Sequence, residues 1–255
     1  MPDQSFIDSL ISVVGPKGVL VDAADKEPFQ EDWRGKFRGE ALAVVRPANT
    51  AEVSAVVSLC AKAGVSVVPQ GGNTGLAGSG VPLGANAPQI ILSLSRMNSV
   101  RHVDRIGMTI EVEAGCVLQT AQEAAAADGR KLAINLASEG SAQIGGVIAS
   151  NAGGVHVVRY GMTRQAVLGL EVVLADGTIV NGMRHLRKDN AGYDWKQLFI
   201  GSEGTLGIVT AAVLKLSPLP RERSVSLLAV PDAQAGLALL ARAQDALGDQ
   251  ISAFE

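Results

Sequence analysis

The sequence predicts an α+β protein, and three features carry that prediction. A strand, a helix and a second strand follow one another between Ala43 and Val68. Asp176-Gly177 separates two β-branched runs, the signal of an antiparallel hairpin. Three glycine-rich loops are each bordered by apolar strands rather than set inside helices. Parallel and antiparallel pairing in one chain, with helices between, defines the mixed class.

The elements follow in order. Phe6, Ile7, Leu10, Ile11 and Val14 have helical spacing that Gly15-Pro16 ends. Glu27 to Glu40 is charged, with Trp33 and Phe37 among the charges, and reads as an irregular arm. Ala43 to Arg46 is a short strand stopped by Pro47. Asn49 stands three residues before Glu52, a capping box opening a helix that buries Val53, Val56, Val57 and Cys60 and ends near Gly64. Val65 to Val68 is the next strand, parallel to the first because a helix connects them. Strands are expected at Ile90 to Leu94 and Thr109 to Glu113, then an Ala-rich helix from Val117 to Asp128. Leu170 to Leu174 and Thr178 to Val180 form the hairpin, and Gly204 to Leu216 one long strand. Ser224 to Val230 is read as a strand, Pro231 to Leu247 as an amphipathic helix, and Ile251 to Glu255 as the start of another apolar segment.

At 255 residues the chain fits one large or two small domains. Aromatic residues are only 4%, so the core is expected to consist of small and β-branched side chains. The net charge of −3, without any basic block, argues against nucleic acid as a partner, since that binding runs on Lys and Arg neutralising phosphates. Cys60 and Cys116, far apart in apolar surroundings, read as buried free thiols. Met1 to Gly15 lacks the basic segment and apolar run of a signal peptide, and no eighteen apolar residues run together. The expectation is a cytoplasmic protein without a transmembrane segment.

Glycine clusters let main-chain amides converge on an anion. The loop from Pro69 to Gly84 holds five glycines between Gly71 and Gly80, and no Lys or Arg. A phosphate held there would rest on backbone amides with the Asn73 and Thr74 side chains; a plain connecting loop is the equal alternative. Two phosphate loops are excluded. No Gly-x4-Gly-Lys-Ser/Thr string occurs. Gly78-Ser79-Gly80 begins a dinucleotide fingerprint, but Leu83 stands at its third glycine and a strand follows. The second cluster runs from Ser138 to Gly146 and on through Ala149 to Gly154; the third is Gly201 to Gly207. Three such loops suggest one extended ligand of nucleotide size.

At these residues the chain resembles the vanillyl-alcohol-oxidase (PCMH) type of FAD-binding domain, and more closely the branch of D-2-hydroxyglutarate, D-lactate and glycolate dehydrogenases. The matching strings are Pro69-Gln70-Gly71-Gly72-Asn73-Thr74-Gly75-Leu76, Ile144-Gly145-Gly146 with Asn151-Ala152-Gly153-Gly154, and Arg159-Tyr160-Gly161 leading into Leu168 to Gly177. Lys188 to Asp194, where Ala191 replaces the family's threonine, and Leu198 to Gly207 complete the set. The resemblance implies a fold of two α+β subdomains with FAD between them. It divides the chain into an N-terminal helical arm (1–39), the FAD-binding domain (40–216) and the opening of an incomplete substrate-binding domain (217–255). Gly71, Gly72, Asn73, Thr74, Gly75 and Leu76 are implied to wrap the pyrophosphate through backbone amides, with Gln70 before them also cofactor-binding. Gly140, Ser141, Gly145, Gly146, Asn151 and Gly154 would line the rest, with Gly204, Ile208 and Val209 in main-chain contact. Glu203 is either a polar contact or an exposed capping carboxylate.

Some relatives tether FAD through a histidine of the first loop; Asn73 and the absence of histidine there imply non-covalent FAD. Of His102, His156 and His185, His156 is the one placed to come near the flavin, because it follows Gly154 closely. In the complete family protein a D-2-hydroxy acid gives its Cα hydride to flavin N5, and electrons pass on to an acceptor. A divalent metal on histidines and an arginine position that substrate from the C-terminal domain. No His-x-His or Gly-Asp-Gly-Asn string occurs here, so no catalytic residue and no metal ligand is assigned. The leading expectation is the FAD-binding portion of such a dehydrogenase, inactive alone. A naturally short flavin-binding subunit of a larger complex is the alternative, and a same-fold enzyme of other chemistry a third reading.

Overall fold

The computed structural model describes residues 4–84 and 87–255. The first three residues of the segment judged for a signal peptide lie outside them. Helix α1 (Gln4–Val14) turns Phe6, Leu10 and Val14 inward at helical spacing and stops at Gly15, whose φ of 76° ends the helix. Strand β1 (Val19–Leu20) and the short helix α2 (Ala23–Lys26) follow, then an arm with no longer element before β2 (Val44–Val45). Helix α3 (Thr50–Ala63) is capped as the sequence predicts: the Glu52 amide donates to Asn49 Oδ1 at 2.9 Å. The Glu52 carboxylate accepts instead from the Ala48 amide at 2.7 Å, one residue before the cap. Gly64 takes the left-handed conformation that closes the helix.

Strands β3 (Ser66–Gln70) and β4 (Gln89–Ser93) complete a sheet ordered β1-β2-β4-β3. Both β2 and β3 run parallel to β4. They are therefore parallel to each other, as expected, but not neighbours. The glycine loop after β3 carries the chain around so that β4, with Ile90, Ile91 and Leu92 wholly buried, takes the centre.

The second sheet is antiparallel throughout, ordered β5-β6-β10-β8-β9. It begins with the hairpin of β5 (Val100–Asp104), which the sequence reading missed, and β6 (Thr109–Glu113). Helix α4 (Leu118–Ala127) buries Leu118, Ala121 and Ala125. After β7 (Arg130–Lys131), the second glycine cluster holds helix α5 (Ile144–Ala149), followed by α6 (Val157–Tyr160) and α7 (Thr163–Ala166). Strands β8 (Val167–Val173) and β9 (Ile179–Gly182) are the predicted hairpin. Its turn docks on α3, where Ser58 Oγ donates to the Asp176 carbonyl at 3.0 Å and Ser54 Oγ to that of Gly177. Helix α8 (Lys196–Phe199) leads to the central strand β10 (Ile208–Lys215). That strand starts four residues later than expected, because positive φ at Gly201, Glu203 and Gly204 makes the preceding stretch a series of turns. Strand β11 (Ser217–Pro218) pairs with β7.

One apolar core joins α1, α3, α4, α5 and both sheets. It is made largely of Val, Ile, Leu and Ala, as the scarcity of aromatics predicts. Cys60 and Cys116 are free and buried within it, and burial pushes their thiols up to about 12 and about 11. The expected strand at Ser224 to Val230 does not form: the segment is exposed and has no regular secondary structure, and among the described residues no strand pairs with it. Helix α9 (Ala233–Leu247) forms, capped by Asp232, but buries none of its residues. Among the described residues no helix is long and apolar enough to cross a membrane.

Candidate functional site

The three glycine loops converge on a cavity of about 250 Å³ between the two sheets. Gln70 ends β3 beneath the first loop. Its side-chain amide donates to the Phe29 and Gly80 carbonyls, both at 2.8 Å, tying the two ends of the loop to the arm. Gly72 lies so close to the second loop that a Cβ would stand 1.9 Å from the Ser141 carbonyl oxygen. Asn73, at a φ of 51°, donates its side-chain amide to the Glu31 carbonyl at 2.7 Å. Its side chain therefore holds the arm, leaving the main chain as the donor set. Among the described residues, the amides of Gly72, Asn73, Thr74 and Gly75 donate to no protein acceptor. Loop amides that converge without partners are what an anion needs.

The arm also contributes Asp32, which the sequence reading passed over. Its buried carboxylate lines the cavity and accepts from the amides of Phe37 and Lys36 at 2.6 Å and of Arg34 at 3.2 Å. The Phe37 amide, then those of Arg34 and Lys36, hold the carboxyl below the usual carboxylate range.

From the second loop, Gly145 and Gly146 line the cavity in the first turn of α5. The Gly145 amide is bonded to the Ala114 carbonyl at 2.7 Å, and a Cβ there would stand 2.9 Å from that of Ala114. Gly146 differs: nothing lies within 4 Å of where its Cβ would stand, so its bare face opens on the cavity. Gln143 joins the lining, and its side-chain oxygen is buried without a hydrogen-bond partner. In the third loop the Glu203 amide bonds the Ala149 carbonyl, and its carboxylate accepts from Ser79 Oγ, both at 2.9 Å. Glu203 thus braces the first loop against the third. Gly204 packs on Pro69, and Ile208 and Val209 close the floor.

Of the residues singled out in the sequence, Gln70, Gly71, Gly72, Asn73, Thr74, Gly75, Gly145, Gly146, Glu203, Gly204, Ile208 and Val209 line this cavity. Leu76, Gly140, Ser141, Asn151 and Gly154 stand outside its lining. Leu76 is half exposed, and Ser141 supplies the carbonyl under Gly72. Asn151 Oδ1 accepts from the Arg164 amide at 2.9 Å, fixing the start of α7. Gly154 packs against the Asn135 carbonyl, where a Cβ would stand 2.2 Å from the oxygen. Leu94, Ala114, Leu136, Ser138 and Ser150 line the cavity without having been assigned to the site. Ser138 and Ser150 lie within the second glycine cluster, whereas Leu94, Ala114 and Leu136 carry no local signal and are brought there by the fold.

No Lys, Arg or His stands among the described lining residues. Donors there are neutral amides, and both carboxylates already have partners. Such a site holds and orients; it offers no free acid or base. Open faces at Gly75 and Gly146, with unpartnered amides between, fit the phosphate-bearing middle of a dinucleotide.

The fold and this loop set define a flavin-nucleotide-binding domain. The chain matches the family model described as FAD binding domain over residues 41–182, more than half its length, and it belongs to that family. It is 43% identical over 245 residues to the "Probable D-2-hydroxyglutarate dehydrogenase, mitochondrial" of Oryza sativa subsp. indica, covering 96% of this chain and 43% of that one. It is 42% identical over 242 residues to the "D-2-hydroxyglutarate dehydrogenase, mitochondrial" of Bos taurus, covering 95% of this chain and 44% of that one. The chain thus spans under half the length of these curated relatives. Among solved structures, alkyldihydroxyacetonephosphate synthase aligns with a TM-score of 0.78 at 24% identity, over 87% of this chain and 42% of the other, and shows the shared fold. The resemblance read from the loops is therefore upheld by whole-chain similarity. The alternative of a naturally short subunit gains no support from these comparisons.

Proposed function

We propose that this chain is the flavin-holding part of an FAD-dependent dehydrogenase acting on a D-2-hydroxy acid. Residues 40–216 form the flavin unit, 1–39 its buttressing arm, and 217–255 the opening of a substrate-binding domain. The observation that carries the reading is the set of unpartnered amides from Gly72 to Gly75 lining the same cavity as the bare Cα of Gly146. The amides would take the pyrophosphate oxygens, and Gly146 admits the nucleotide at a distance any side chain would deny. Ile208 and Val209 exclude water beneath it. FAD would supply the acceptor for the substrate's Cα hydride, and the amides of Gly72 to Gly75 with Gly146 would hold and orient it.

With no histidine or cysteine among the described lining residues, we assign FAD a non-covalent hold. Substrate, metal and electron-acceptor contacts are assigned to the remainder of the complete polypeptide. The two free thiols suit a reducing compartment, and we assign the cytoplasm. The relatives' names make the mitochondrion the competing outcome, which cell fractionation distinguishes. The functional test is anaerobic mixing of the complete, FAD-loaded polypeptide with D-2-hydroxyglutarate, D-lactate or glycolate. Bleaching of the flavin band by one of these acids supports the proposal. A flavin band unchanged by all three refutes it.

A further inference from the structure

A second cavity, of about 120 Å³, shares no lining residue with the first. It opens between α6 and the small β7–β11 sheet. Leu216 is buried, so by strand alternation Lys215 and Ser217 emerge together on the opposite side. Lys131 pairs directly across from Ser217 and so shares that face. Helix α6 brings Arg159 and Tyr160 over it. The Tyr160 ring has the Arg159 guanidinium carbon at 5.1 Å and Lys131 Nζ at 6.0 Å from its centroid.

The charges among the described lining residues are of one sign. Arg159 and Lys215 line the cavity with Tyr160 and Ser217, and no acid is among its described lining residues. Arg159, Lys131, Lys215 and the nearby Arg223 enter no ion pair among the described residues. One acid, Glu139, acts on Lys131 and His156 from outside the lining; it accepts from Gln122 at 3.1 Å and Asn135 at 3.4 Å and forms no ion pair with Lys131 or His156 among the described residues. Arg130, by contrast, satisfies its guanidinium on the Arg105 and Gly129 carbonyls. Like charges gathered at one cavity repel one another unless something neutralises them, most strongly where, as at Lys131 and Lys215, they are partly buried. Burial first, then Arg223, lowers the Lys131 ammonium, and burial first, then Lys131, lowers His156, with Glu139 opposing both. His156 Nδ1 is itself buried without a partner.

We infer that this cavity is an oxyanion site, taking a small carboxylate or phosphate between Arg159 and Lys215 with the Ser217 and Tyr160 hydroxyls as further donors. Its size admits a small oxyanion and not a nucleotide. The inference is independent of the flavin reading, because the two cavities share no residues.

The test is isothermal titration of the FAD-loaded full chain at low ionic strength, with sodium phosphate in one arm and sodium D-lactate in the other. Saturable binding in either arm is expected, phosphate alone assigning a free inorganic ligand and lactate an organic acid. Arg159→Gln and Lys215→Gln should each weaken that binding roughly ten-fold or more, the worth of a charge-assisted hydrogen bond. Flavin content and melting temperature should stay unchanged, which separates loss of the site from loss of the fold. Absence of saturable heat in both arms overturns the inference, as does binding that survives both substitutions undiminished.

Discussion

Gly146 offers the sharpest separation of fold from function. Nothing lies within 4 Å of where its Cβ would stand, and the residue lines the cavity in helix α5. Alanine there should leave the empty protein intact and even favour the helix, by up to ~1 kcal/mol over glycine. For a chain of this size that is a rise in melting temperature of about 2–4 °C at most. The methyl group would occupy ligand space instead. Forcing a methyl into a filled site costs about 1–3 kcal/mol. At about 1.4 kcal/mol per factor of ten, FAD affinity falls roughly five- to a hundred-fold. Gly72→Ala is the counterpart: its Cβ would stand 1.9 Å from the Ser141 oxygen, so the two loops must part. That variant should lose both melting temperature and FAD. The assay is FAD titration by flavin fluorescence quenching, beside thermal melts of the flavin-free proteins. Should Gly146→Ala bind FAD as tightly as the parent, the cradle is not where the nucleotide lies. A large drop in its flavin-free melting temperature would instead show that the space at Gly146 is not open.

Two further predictions concern buried groups. Cys60 and Cys116, held protonated by burial up to about 12 and about 11, should resist a thiol reagent at pH 8 in the native protein and react in denaturant. Stoichiometric labelling of folded protein would contradict their placement. Asp32 has a lowered carboxyl pKa in the folded state, so its contribution is complete above the unfolded value of about 4 and is lost as pH falls through the folded one. The stability gap between the parent and Asp32→Asn should accordingly be widest near neutrality and narrow in acid. A gap that stays constant from neutral pH down to about pH 2, below the unfolded value, would contradict it.

Much of this architecture is legible because local and global signals agree. Asn49 and Glu52 announce α3, Asp176-Gly177 the hairpin, and Phe6, Leu10 and Val14 the buried face of α1. The failures have physical causes. Helix α5 was hidden because Gly145 and Gly146 are poor helix formers, yet Ile144, Val147 and Ile148 at i, i+3 and i+4 pin it to the core. Ser224 to Val230 has the composition of a strand, but strand formation requires a neighbouring edge, and none stands beside it.

The candidate site divides the same way. Glycines that line the cavity and glycines that let two backbones meet look alike in sequence. Gly146 faces open space while Gly154 faces the Asn135 carbonyl, and only the fold separates them. Asp32 was invisible because its role is to organise the arm that Asn73 and Gln70 hold, forty residues away in the chain.

The most direct measurement is the absorbance spectrum of the purified chain after incubation with FAD and desalting, followed by acid precipitation. The account predicts a flavin band at one FAD per chain, with all the flavin recovered in the supernatant. Protein that emerges colourless would contradict FAD binding in this cavity. Flavin that remains with the pellet would contradict a cradle made of main-chain amides alone.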